Sequence, residues 1–238
     1  MQLSVAGIPV SVQRKRIRNL HLYVKPPRGD VLVTAPYYTS DAVIRSFVNS
    51  KADWIVRNVA KFQNSPFTLD PQYVDGEVLP LWGEESVLSV VEGTRNTVTV
   101  YRPDSDDQTS DQKPVLVMTV RSDSDQEQRR KIMVEFYRQE LKERTEILLP
   151  QWEAYTGLKC STWTTRNMKT RWGTCNTATN KITLNVQLAQ HPVECLEYVI
   201  LHELCHTVVP NHGPDFKALE TKYMPNWREV RKLLNEQK

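Results

Sequence analysis

His202-Glu203-Leu204-Cys205-His206, followed by Thr207-Val208-Val209-Pro210-Asn211-His212, gathers three of the chain's five histidines into eleven residues. Upstream, Leu196, Tyr198, Val199, Ile200 and Leu201 are apolar and Pro192 suits a first helical turn, so the spacing predicts a buried helix running into the histidines. Residues four apart on a helix lie about 40° apart around the axis and roughly 6 Å along it, which lets His202 and His206 face one cation. Glu203 sits about 100° round from His202, off the ion but within reach of a water on it, the place of a general base. Pro210 disfavours helix at Val209, and His212, two residues on, is the expected third ligand. This H-E-x-x-H spacing is that of zinc hydrolases, and a catalytic zinc keeps three protein ligands and one water, so one Zn2+ is the expected cofactor.

Working outward, Lys159 to Thr165 reads as a strand and Met168 to Leu188 as a hairpin with its loop at Asn176 to Lys181. Its first arm, Met168 to Thr174, is the candidate edge for an extended peptide. Gln126 to Tyr155 is a long amphipathic helix with Gly157 as C-cap and a kink or break expected near Leu149 because of Pro150; it should pack on the metal helix. Two short helices, Asp215 to Tyr223 and Trp227 to Glu236, follow.

The first half is strand-rich. Leu3 to Val12 and Leu20 to Ala35 alternate as antiparallel strands joined by a turn at Pro26 to Asp30. Thr39 or Ser40 then caps one helix reaching about Phe62, with Trp54 expected in its core. Short strands follow at Val78 to Trp82, Ser86 to Val91, Thr97 to Tyr101 and Val115 to Val120, interrupted by the acidic run Asp104 to Asp111, a solvated loop. No internal repeat stands out. The expected fold class is α+β, with residues 1–125 as a mainly β region containing one helix and 126–238 as the metal-binding domain.

Charge is uneven: residues 1–61 carry ten Lys/Arg against three Asp/Glu, whereas 62–130 carry six against thirteen. The cluster Arg14-Lys15-Arg16 with Arg18 is a candidate patch for an anionic partner, although a solvated strand face is the simpler reading. Cys160, Cys175, Cys195 and Cys205 form no C-x-x-C pair, which argues against a disulfide framework or a cysteine-based zinc finger. No run reads as a secretory signal or reaches membrane-spanning length, so a cytoplasmic protein is expected.

Four separated blocks occur in the order of a known family: Met168-Lys169-Thr170-Arg171-Trp172-Gly173-Thr174-Cys175, Ile182-Thr183-Leu184-Asn185, Tyr198 to His206, and Asn211-His212-Gly213-Pro214-Asp215-Phe216. With Lys51-Ala52-Asp53-Trp54-Ile55, they make the chain resemble the YgjP-like metal-dependent hydrolases, relatives of the SprT-like zincins. The resemblance implies a zincin-like domain with a sheet beside the metal helix, three His ligands at His202, His206 and His212, and Glu203 as acid/base. It also implies two substrate classes, since family members are described as metallopeptidases and some as UTP-type nucleotide pyrophosphohydrolases.

A zinc peptidase is therefore the leading expectation, with Arg171 and Lys169 as candidate substrate-binding residues. The nucleotide pyrophosphohydrolase is the first alternative; against it, triphosphate chemistry prefers Mg2+ on carboxylates, and no Gly-rich phosphate loop is present. A nucleic-acid-associated protease is the second, resting on Arg14 to Arg18. Glu220 and Asp215 are candidate partners for the ligating histidines.

Overall fold

The computed structural model describes residues 2–25, 29–63, 71–102 and 113–236. Two compact units divide at Asp70/Pro71 rather than at the expected 125/126. The reason lies in the core: Leu79, Leu81, Leu88, Leu116 and Met118 are buried together with Met133, Leu141, Leu196 and Leu204, so the strands between 78 and 120 share one interior with the helix that holds His202.

The first unit holds β1 (Gln2–Val5), β2 (Ile8–Lys15), β3 (His21–Lys25) and β4 (Asp30–Pro36) in the order β1-β2-β4-β3. Ala6 and Gly7, with φ of 50° and 79°, make a tight turn of the mirror-image type, so the expected strand Leu3 to Val12 is a hairpin instead. β2 pairs with β4 in parallel, not antiparallel. β4 takes the central place because Val31, Val33 and Ala35 give it the most deeply buried face of the four.

Ser40 caps α1 (Asp41–Ser50) by accepting a hydrogen bond from Val43 N, and a break at Lys51 separates α2 (Ala52–Gln63) where one helix was expected. Ile44, Val48, Ile55 and Val59 form the buried stripe, leaving Trp54 40% exposed and outside the core assigned to it. Arg14 is committed to Asp41 at 2.6 Å and to the carbonyl of Thr39 at 2.7 Å, which removes it from the candidate basic patch.

The second unit opens with β5 (Val78–Leu81), β6 (Glu84–Glu92), β7 (Thr97–Tyr101) and β8 (Val115–Val120), in the order β5-β6-β8-β7. Its pairings run antiparallel, parallel, antiparallel, as in the first sheet. Trp82 and Gly83 (φ 52° and 83°) turn its first hairpin just as Ala6 and Gly7 do. The topology thus repeats where the sequence does not. The acidic run Asp104 to Asp111 lies outside the described residues.

α3 (Gln126–Thr156) follows, started by a reciprocal Asp125/Gln128 capping box and ended by Gly157 in the left-handed region. Of the kink or break expected near Leu149, the break does not occur: one helix runs on through Pro150. Pro150 lies on the exposed face, so the hydrogen bond it cannot donate is lost away from the core.

β9 (Thr162–Arg166), β10 (Gly173–Asn176) and β11 (Lys181–Asn185) form a small sheet in the order β10-β11-β9. The expected edge Met168 to Thr174 is strand only from Gly173 onward; residues 167–172 bend into a loop. A 3-10 turn (Val186–Gln190) leads to α4 (Val193–Cys205), then α5 (Pro214–Tyr223) and α6 (Trp227–Glu236). α4 is buried on nearly every side, against α3, α5, α6 and β10. Its start is braced by the β5–β6 hairpin, where Trp82 N donates to Ala189 O at 2.8 Å and Gly83 N to Gln190 O at 3.3 Å. A Cβ on Gly83 would stand 2.6 Å from Pro192 Cγ, so only glycine fits there. Among the described residues, no helix is long and apolar enough to cross a membrane.

Candidate metal centre

α4 ends at Cys205, with His206 as its C-cap, so His202 and His206 lie one turn apart on its last exposed corner. The chain then turns through Val209-Pro210 and returns His212, as Pro210 predicts. The Nε2 atoms of His212 and His202 are 3.1 Å apart, and those of His206 and His212 are 3.2 Å apart. Three nitrogens at zinc's usual bond length of about 2.0–2.1 Å in a tetrahedral array are separated by roughly 3.3 Å, so the spacing fits that ion.

The far nitrogens fix the tautomers. His202 Nδ1–H donates to Glu220 Oε1 at 2.9 Å and His206 Nδ1–H to the carbonyl of Val209 at 3.3 Å, which leaves both Nε2 lone pairs aimed at the shared point. Glu220, only 2% exposed on α5, is thus one of the two carboxylates expected behind the ligands; Asp215 stands exposed at the start of the same helix. Burial, and then the neighbouring His202, lowers the pKa of both His206 and His212, favouring the neutral imidazoles a cation requires.

Phe216 was not foreseen. Fully buried on α5, it meets all three imidazoles, with ring centroids 5.0, 4.6 and 4.7 Å from His202, His206 and His212. Its sequence signal was its place in the block that carries His212, but nothing local says that it forms the floor of the site.

Glu203 is 4% exposed, and its Oε2 has no hydrogen-bond partner among the described residues. Burial pushes its carboxyl up to about 7, against the pull of His202 and Arg171. β10 lies directly against it: a Cβ on Gly173 would fall 2.5 Å from Glu203 Oε1, so glycine there is what lets the strand approach. Arg171 and Lys169 are both exposed on the 167–172 loop; the charge of Arg171 reaches Glu203, while no hydrogen bond or ion pair among the described residues joins Lys169 to the histidines or Glu203. Trp172 and Cys175 are half-buried and packed against the core.

A family model described as YgjP-like, metallopeptidase domain, matches residues 18–237. The chain belongs to the YgjP-like family. Its fold is accordingly α+β and zincin-like, and the YgjP-like match makes it a metallopeptidase-domain protein. No curated protein matches the chain. Two solved structures resemble part of it, the metallopeptidase zymogens of Pyrococcus abyssi abylysin and Methanocaldococcus jannaschii jannalysin, each at 22% identity. The first covers 37% of this chain and 89% of its own at a TM-score of 0.35; the second covers 41% and 95% at 0.33.

Proposed function

We propose that this chain is a zinc-dependent peptidase in which His202, His206 and His212 hold the metal and Glu203 is the general base. The observation that carries the reading is the pairing of three convergent imidazoles with a buried carboxylate whose Oε2 has no hydrogen-bond partner among the described residues. Held by these three imidazoles, a zinc ion would lower the pKa of a bound water to about 7 and polarise a substrate carbonyl. Glu203, with its own pKa near 7, accepts a proton at Oε2 and returns it to the leaving amine. Glu220 and the Val209 carbonyl keep the two α4 imidazoles in register through both transfers. Phe216 closes the underside of the three rings to water.

β10 is an edge strand beside Glu203, so an extended peptide can add to it through backbone pairing. Arg171 is suited to the oxygen that gains charge. The donor set speaks against the nucleotide alternative, because three imidazoles match zinc better than they match Mg2+-triphosphate. The nucleic-acid alternative loses Arg14, already paired with Asp41.

The test compares wild type with Glu203→Gln on casein-type peptides and on nucleoside triphosphates, with metal content measured alongside. We expect one zinc per chain in both proteins and a loss of peptide turnover of about 10²-fold or more in the variant. Equal turnover by both proteins would overturn the assignment.

A further inference from the structure

The last residue of β11, Asn185, is 2% exposed and every polar atom of its side chain is used. Nδ2 donates to the carbonyls of Met168 at 2.9 Å and Arg171 at 2.7 Å. Oδ1 accepts from the backbone N–H of Met168 at 3.1 Å and of Gln187 at 3.2 Å. Its own backbone N–H donates to Trp172 O at 2.8 Å. One residue therefore ties down three positions of a loop with no strand pairing of its own. That loop leads directly into Gly173, the residue packed on Glu203, and carries Lys169 and Arg171 as its exposed cations.

A neutral amide suits this task because it alone among side chains of its size offers two donors and an acceptor. Aspartate has the same shape but would set a carboxylate against the Met168 and Arg171 carbonyls. We propose that Asn185 is a positioning residue for the reaction: it fixes the 168–172 loop so that Arg171 meets the substrate beside Glu203. The assignment rests on the peptidase reading. It goes beyond that reading by naming what holds the cationic loop, which is neither a metal ligand nor an element of α4.

A double-mutant cycle tests it, using Asn185→Asp, Arg171→Ala and the pair, with Lys181→Ala as control because this exposed residue stands at the other end of β11 from Asn185. We expect Arg171→Ala to lower kcat/KM by about 10²-fold, as for loss of a charge-assisted contact to a developing oxyanion. Asn185→Asp should fall comparably, and the pair should fall no further than Arg171→Ala alone. Zinc content stays at one per chain throughout, and the control keeps wild-type kinetics.

Hydrogen exchange gives a second readout. The 167–172 amides should exchange about tenfold faster in Asn185→Asp, with α4 unchanged. Multiplicative losses in the pair, unchanged kinetics in a loosened loop, or a parallel loss of zinc would each overturn the assignment. If Asn185→Asp does not fold, Asn185→Ser with Arg171→Ala runs the same cycle. If wild type and Glu203→Gln turn over peptide equally, the peptidase reading fails by itself. Exchange then decides the clamp, which is upheld by a loop slow in wild type and fast in the variant and overturned by equal rates.

Discussion

The sheets β1-β2-β4-β3 and β5-β6-β8-β7 share one topology and one kind of turn yet do different work. At Gly7 the first hairpin tip is open, and an added Cβ would meet nothing within 4 Å. At Gly83 the second is wedged against Pro192 and hydrogen-bonded to Ala189 and Gln190, immediately ahead of the helix that carries His202 and Glu203. The lesson is that a repeated framework becomes part of a site through one close contact at its rim, not through a change of architecture.

The sharpest way to separate the two units is to remove the metal. Because His202, His206 and His212 all belong to the second unit, chelation should lower that unit's unfolding transition by about 4 kcal/mol when zinc had been a thousandfold above its Kd. The first unit's transition should not move in calorimetry. A shift common to both would mean that they unfold together.

Next comes the wedge itself. Gly83→Ala should cost about 2–4 kcal/mol, combining a left-handed backbone with overlap against Pro192. Gly7→Ala, with the backbone term alone, should cost about 1 kcal/mol. Chemical denaturation of both variants measures the gap, and equal costs would deny the brace any role.

A similar or somewhat smaller effect depends on pH in the metal-free protein. His206 and His212, lowered by burial, lend stability that is complete above the ordinary value of 6.5 and is lost as pH falls through their folded values. Glu203 acts in the opposite sense: raised from 4.5 to about 7, it favours the fold fully below pH 4.5 and ceases to as pH rises through 7. Glu203→Gln should therefore stabilise metal-free protein by up to about 3 kcal/mol at pH 8 and by little at pH 4.5. Melting curves at the two values decide it, and a pH-independent shift would contradict burial as the cause. The smallest effect belongs to the first unit, where Arg14→Ala should cost less than about 1 kcal/mol because the ion pair with Asp41 is largely exposed.

His202 and His206 were legible because helical periodicity puts them on one face, Glu203 because the same periodicity sets it about 100° round from them, and His212 because Pro210 turns the chain back. Partners set by tertiary contact were not. Nothing near Phe216 says that it will touch three histidines, and nothing near Asn185 says that it will hold a loop 14 to 17 residues upstream. The parallel β2–β4 pairing escaped because alternation marks strands without naming neighbours. The boundary at Asp70/Pro71 escaped for a related reason, since shared burial of Leu88 and Leu116 with Leu196 leaves no trace in local pattern. Pro150 misled in the other direction, because its cost depends on which face of the helix it occupies.

A single benzene ring lies beneath all three histidines. Were they to hold a cation as proposed, one of wider radius would ask the imidazoles to spread while each is already seated on Phe216. Under that proposal, discrimination among divalent ions would rest partly on an apolar side chain that is no ligand.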